Sequence, residues 1–449
     1  MNKLFLTLLF LSLAHLTVQQ YGPLGATLAA PAPPVAGPKS AALIDAPMVI
    51  IDDIAPVAEI MPAVLQVMPI KYVDKGCVGC KFILVNSSNV VHVIEYNTKQ
   101  IFKVYLADSS GYSARIGFTT ALSSIGSVFS DGRSSLFVVD SRNATFNILD
   151  IQSPGTYVSG TLYSGDFINV DSTSRYLHVF NYEDKFGAIW CETAIVISTS
   201  GKKYTTRMFL NYYDKKTGKS KWSLSRPLYQ TTTEVPLSAV GIKSLIFDEE
   251  LVVYFQLQSL SGSILQRRQH EKVWKAVYDL DGFEFESPEV IYRLEPSLLL
   301  QDSTYLIKDV IAVGGTYGLI SQYYLEFLGP IIGAETLVIR LRDSTASKAL
   351  IHTSYITPNT ANARYEGAIP LDEDRFALFF KRKVGSRYDL YYKIGSIGQI
   401  TSDLSEERLA AKGINDVEVL HFGNEIYIVV PVEKDGSTTY SVLKVKSTI

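Results

Sequence analysis

Residues 367–380 read GAIPLDEDRFALFF. Two apolar runs flank a polar turn, LDEDR, and two more strand-like runs follow, RYDLYYKIG and IGQIT. Runs of Val, Ile, Phe and Tyr bounded by Asp, Gly and Asn mark an antiparallel hairpin. One hairpin decides nothing, but this one recurs. The other instances are IKYV-DKGCVGC-KFILV at 70–85, SVF-SDGRSS-LFVV at 127–139, FINV-DSTSR-YLHVF at 167–180, SLIF-DEE-LVVYF at 244–255, DVIAV-GGTYG-LISQYY at 309–324 and EVLHF-GNE-IYIVV at 418–430.

The second strands of these hairpins begin at Phe82, Leu136, Tyr176, Leu251, Leu319, Phe376 and Ile426, about 40 to 75 residues apart. A four-stranded unit repeated at such intervals is the pattern of a β-propeller blade. The expected fold is all-β: a β-propeller of seven four-stranded blades over residues 70–449. The long interval between Tyr176 and Leu251 leaves six or eight blades open. Two β-sandwich domains would also give regular short strands, but radial repetition accounts for one hairpin type along the whole chain. A helical turn is expected only at 402–412, SDLSEERLAAK.

The segment before the repeats has a different composition. Residues 1–20 open with a basic start, Met1-Asn2-Lys3, and an apolar run at 4–16, LFLTLLFLSLAHL. That is the layout of a secretory signal peptide, too short to span a bilayer. A secreted, extracellular chain without a transmembrane anchor is therefore expected. Residues 21–41 are an Ala/Pro linker of polyproline character. Residues 42–69 form an apolar arm, and no Lys or Arg occurs between Lys39 and Lys71. Pro47, Pro56, Pro62 and Pro69 forbid a long helix there. The seventh repeat ends after three strands, which leaves an unpaired edge. Met48, Val49, Ile50 and Ile51, or Val64, Leu65 and Val67, offer a strand to fill it. The arm either returns to its own last blade or supplies a strand to a neighbouring copy and builds a filament.

Two of the three cysteines, Cys77 and Cys80, stand in KGCVGCKF. In an exported chain this pair is expected to close a disulfide across a turn. The histidines show no zinc-ligand spacing, so no metal is expected. Cys191 reads as a lone buried thiol on a strand. Sequons at Asn86 and Asn143 mark expected glycosylation in exposed loops. The net charge of −3 gives no basic face for nucleic acid.

The stretch YYDKKTGKSKW, 212–222, fits D-x-x-T-G-K-x-x-W. It resembles the blade-closing motif of quinoprotein-type propellers. The resemblance implies a turn role for Asp214 and Gly218 and an inter-blade packing role for Trp222. The adjacent Cys-Cys pair of those enzymes is absent, so no cofactor is carried over. Paired tyrosines at 212–213, 323–324 and 391–392 read as packing between blades, since neighbouring strand residues face opposite sides. The basic clusters 267–268 and 381–383 read as solvated.

Catalysis by carboxylates at the axis is the alternative. Asp166, Asp309, Glu366 and Asp416 precede or begin expected innermost strands, where acid and base could converge on a glycan. No nucleophile, phosphate-binding or calcium motif accompanies them. The reading favoured by the sequence is a non-catalytic, secreted binding or structural propeller. Its partner would be an extracellular protein, a glycan or a second copy of itself.

Overall fold

The computed structural model describes residues 65–446, apart from breaks at 75–80, 88–89, 97–100, 107–112, 124, 132–133, 141–143, 154, 163–175, 199–200, 260–271, 294–300, 314–315, 328–331, 344–349, 356–362, 371–374, 385–386, 397–407, 415–417, 423–424 and 435–436; side chains are described within 119–322 and 363–393. Every element among the described residues is a strand, and the strands form seven four-stranded antiparallel sheets.

The chain enters with β1 (Leu65–Asp74). Blade one is β2 (Lys81–Ser87), β3 (Val90–Tyr96), β4 (Ile101–Leu106) and β5 (Ser113–Phe118). Blade two is β6 (Ser127–Ser130), β7 (Ser135–Asp140), β8 (Thr145–Asp150) and β9 (Tyr157–Thr161). Blade three is β10 (Tyr176–Tyr182), β11 (Lys185–Ser198), β12 (Gly201–Asp214) and β13 (Arg226–Thr233). Blade four is β14 (Leu237–Phe247), β15 (Glu250–Ser259), β16 (Lys272–Asp279) and β17 (Glu284–Arg293). Blade five is β18 (Gln301–Val313), β19 (Thr316–Phe327), β20 (Ile332–Asp343) and β21 (Leu350–Tyr355). Blade six is β22 (Ala363–Pro370), β23 (Arg375–Val384), β24 (Arg387–Ser396) and β25 (Arg408–Ile414). Blade seven is β26 (Glu418–Phe422), β27 (Glu425–Lys434) and β28 (Ser437–Lys446), completed on its outer side by β1 in the order β1-β28-β27-β26.

First strands of successive blades meet side by side: β10 with β14, β14 with β18, β18 with β22, β22 with β26, and β26 with β2. The last blade therefore touches the first, and the ring closes. The propeller expectation stands, with seven blades.

Five of the seven expected hairpins are the first two strands of a blade. The other two are corrected. IKYV and KFILV lie in β1 and β2, which belong to different sheets. The hairpin of blade one is β2–β3, with Ser87 opposite Val90. YLHVF is β10, the first strand of blade three rather than the second. It turns through Glu183–Asp184 into β11, with Tyr182 opposite Lys185. The expected helix is also corrected: residues 408–412 belong to β25, which pairs with β24. Among the expected arm residues, Leu65 and Val67 lie in β1. Met48, Val49, Ile50, Ile51 and Val64 fall outside the described residues.

Side chains from neighbouring blades fill each seam. Blades two and three share Phe137, Phe146, Phe186, Trp190, Phe209 and Tyr213. Blades three and four share Leu210, Tyr212, Ile242, Phe255 and Tyr278. Tyr212 and Tyr213 thus serve opposite seams of one blade, as strand alternation requires. Trp222 packs at the seam of blades three and four, with its ring 5.6 Å from that of Tyr212. The turn before it is built as expected. Asp214 Oδ1 accepts from the Thr217 N–H at 2.7 Å, and Gly218 takes φ +68°. Cys191 is free and buried on β11, and burial pushes its thiol up to about 12.

Phe146 is fully buried, 4.5 Å from the Phe137 ring and 4.6 Å from that of Tyr213. It lies across from Gly160 on β9, where a methyl group would strike the Phe146 ring. Gly160→Ala is therefore expected to destabilise the protein by about 1–3 kcal/mol through overpacking. Urea denaturation monitored by tyrosine and tryptophan fluorescence measures it.

Candidate functional site at the propeller axis

Three consecutive first strands carry a bulge. In β14, Ala239 faces Leu257 and Gly241 faces Gln256, which leaves Val240 unpaired. In β18, Ile307 faces Ser321 and Asp309 faces Ile320, which leaves Lys308 over. In β22, Tyr365 faces Phe380 and Gly367 faces Phe379, which leaves Glu366 over. A bulge inserts one residue, bends the strand and re-aims a side chain. Val240, Lys308 and Glu366 are each partly exposed, whereas Ala239, Gly241, Ile307 and Gly367 beside them are buried. The bulges adjoin from blade to blade. A methyl on Gly241 would sit 3.1 Å from Ile307 Cβ, a tight contact that shows how closely β14 approaches β18.

Two of the four axial carboxylates lie in this region. Asp309 sits within β18 and Glu366 within β22, neither at the strand start that the sequence suggests. Asp166 and Asp416 fall outside the described residues. Asp309 accepts from the Val310 N–H through Oδ1 at 2.9 Å and from the Tyr365 hydroxyl through Oδ2 at 2.7 Å. The second bond joins blade five to blade six. Glu366 Oε1 lies 2.9 Å from Lys381 Nζ, with the two side chains 10% and 12% exposed. Burial first, and then the Asp309 charge, raise the Tyr365 phenol well above its usual 10.0, and Glu366 adds to this. Tyr365 therefore stays protonated and donates. Two carboxylates thus lie on adjacent first strands, Asp309 bonded to the Tyr365 phenol and Glu366 to Lys381.

The cluster 381–383 is not simply solvated, which corrects the expectation. Lys381 turns to Glu366, and the Arg382 guanidinium lies 5.2 Å from the Tyr391 ring; Lys383 is exposed. Sequence reasoning missed Tyr365, Lys381 and the bulges. A bulge has no composition signature here, and Tyr365-Glu366-Gly367 reads as ordinary strand. Cys77, Cys80 and Asn143 lie outside the described residues, as do 267–268. Asn86 lies in β2, opposite Val91, rather than in the loop expected of a sequon.

A second contact ties the inner strands of blades three and four. The Ser244 N–H of β14 donates to Nε2 of His178 on β10 at 3.1 Å, and Ser244 Oγ lies at the same distance. An acceptor nitrogen must be unprotonated. Burial, then the Lys243 charge, hold this histidine down to about 3.

No protein-family model matches the chain, and no curated protein matches it. Solved structures do match, and they are propeller folds. The WD40 domain of SCAP from fission yeast is 12% identical, with 85% of this chain and 88% of that chain covered at a TM-score of 0.42. The α-L-arabinofuranosidase Arb93A of Fusarium graminearum is 10% identical, with 85% and 98% covered at 0.40. A streptogramin B lyase is 11% identical, with 85% and 97% covered at 0.38. The expectation of a chain that is not an enzyme is withdrawn on this finding.

The histidine bond has a pH consequence. The folded pKa lies below the unfolded value near 6.5, so the unfolded chain binds the extra proton between the two. Stability from this group is full above pH 6.5 and is lost as pH falls towards 3. The ring is partly exposed, which holds the loss to about 1–2 kcal/mol, below what the full shift would give. Urea midpoints measured between pH 7 and 4 should fall more steeply for the wild type than for His178→Gln, whose amide oxygen accepts without titrating.

Proposed function

We propose that this protein is an exported propeller that processes glycans at its axis, with Asp309 and Glu366 as the working carboxylates. The observation that carries the reading is their placement on two adjacent bulged strands, joined by the bond from Tyr365, the neighbour of Glu366 in the chain, to Asp309. A glycosidic bond is cleaved by one carboxyl that protonates the leaving oxygen and a second that attacks carbon or activates water. Asp309, held in place by two donated hydrogen bonds, takes the nucleophile or base role. Glu366, on the bulge itself, meets the sugar; once substrate displaces Lys381 and excludes water, its carboxyl takes up a proton from solvent and delivers it to the leaving oxygen as the acid. The open bulge positions Val240 and Lys308 extend the same surface across blades four and five.

Export through residues 1–20, a closed Cys77–Cys80 pair and glycan on Asn86 and Asn143 belong to the same proposal. They rest on the apolar run at 4–16, the C-x-x-C spacing and the sequons. Within one chain, β1 occupies the outer edge of β28. That pairing supports the arm as a lock on its own ring, and a filament built by strand exchange is not needed to satisfy the edge.

The test is release of reducing ends from a panel of neutral and acidic polysaccharides. Glu366→Gln should lower the rate about 10²–10⁴-fold. Tyr365→Phe keeps both carboxylates and should lower stability more than rate. Equal rates for wild type and Glu366→Gln, or polysaccharide binding with no cleavage by the wild type, would overturn the hydrolytic reading.

A further inference from the structure

The loop that follows β12 and the turn between β16 and β17 meet across blades three and four. Lys221 Nζ and Asp281 Oδ1 tie them at 2.5 Å. Beside this tie lies a groove of about 670 Å³, lined in part by Arg207, Trp222, Leu224 and Arg226. The Arg226 guanidinium is held between two rings, 5.5 Å from that of Trp222 and 4.7 Å from that of Phe283. The Arg226 side chain makes no hydrogen bond or ion pair among the described residues. A guanidinium stacked in this way keeps the N–H edge in its own plane, where it fits a carboxylate fork. Leu224 in the groove and Phe283 over the guanidinium are each 57% exposed. Large apolar side chains grouped at such exposure mark an interaction surface.

The chemistry required of an occupant is therefore a carboxylate set between aliphatic side chains. We infer that this groove binds an extended acidic peptide, and that residues 50–60 of a second copy of the chain are that peptide. Those residues read IIDDIAPVAEI: three acids, Asp52, Asp53 and Glu59, among Ile, Val and Ala. The absence of any Lys or Arg between Lys39 and Lys71 removes competition for the carboxylates. Pro56 and Pro62 favour an extended chain over a helix. The same chain cannot reach. From Asp53 to Leu65, where β1 enters blade seven, extended backbone spans about 40 Å. The groove lies on the far side of the ring, and a body of this length is about 50 Å across, with a longer path around its rim. Only another copy brings the segment there. The contact leaves β1 on its own β28, so it differs from strand exchange.

Two measurements test this on the full chain. First, a synthetic 50–60 peptide is titrated in by calorimetry. Saturable binding is expected, weakened about tenfold or more by Arg226→Gln and by replacing Asp52 and Asp53 of the peptide with Asn, and weakened by salt. Arg226→Lys, which keeps the charge but loses the fork, should fall between. Second, sedimentation should show association that rises with concentration and disappears in Arg226→Gln. Absence of peptide binding, equal binding to Arg226→Gln, tighter binding of a polygalacturonate oligomer through the same residue, or a monomer at every concentration would overturn the inference. Glu366→Gln should bind the peptide as the wild type does, which separates this surface from the axial one.

Discussion

A ring of sheets has one weak point, the place where its two ends meet. Six blades are each built from four consecutive strands, whereas the seventh has only β26, β27 and β28 from the end of the chain. An outermost strand with free N–H and C=O groups invites pairing with anything extended. Here the edge is taken by β1 in a continuous antiparallel register, Leu65 opposite Val445 through Ile70 opposite Tyr440. Pro69 sits within that stretch opposite Ser441. A residue without an N–H is tolerated there because β1 is the outermost strand of that sheet among the described residues. Joining the start of the repeats to their end turns a linear array into a closed one. Each seam can then be filled from both sides.

The inner strands respond to that closure. Bulges set Val240, Lys308 and Glu366 as extra residues on the strands where neighbouring blades meet. Polar contacts lie where the strands crowd: His178 with Ser244, and Tyr365 with Asp309. Buried polar groups are costly unless paired, so these bonds fix how adjacent blades align. The same seam holds the Asp309 carboxylate on the Tyr365 phenol, with Glu366 next to Tyr365 in the chain and paired to Lys381.

Much of this architecture could be read from the chain. Apolar runs around Asp- and Gly-rich turns reveal strands, and their recurrence reveals blades. What the pattern does not contain is sheet membership. IKYV and KFILV flank a turn as a hairpin would, yet they belong to the last and first blades. Blade three shows the reverse. Its true turn, Glu183–Asp184, is only two residues long and carries no Gly, with Glu183 at φ +51°. It is hidden within one apolar stretch, YLHVFNYEDKFGAIW. Asp248 and Glu249, at φ +50° and +62°, make a turn in blade four that also lacks Gly, yet there the run DEE between two apolar runs reveals it. The carboxylates of the axial site were visible as Asp309 and Glu366. Their partners Tyr365 and Lys381 were not, because cross-blade and cross-strand proximity leaves no trace in local spacing.

The closed ring depends on β1 belonging to the same chain as β28. Opposed residues in an antiparallel pair can be bridged by a disulfide. Gln66 lies opposite Lys444, so the double variant Gln66→Cys, Lys444→Cys reports the pairing directly. Oxidised at high dilution and mapped by mass spectrometry, it should yield a 66–444 bridge within a single chain of monomeric mass. Bridges that join two chains, or no bridge at all, would contradict the closed ring.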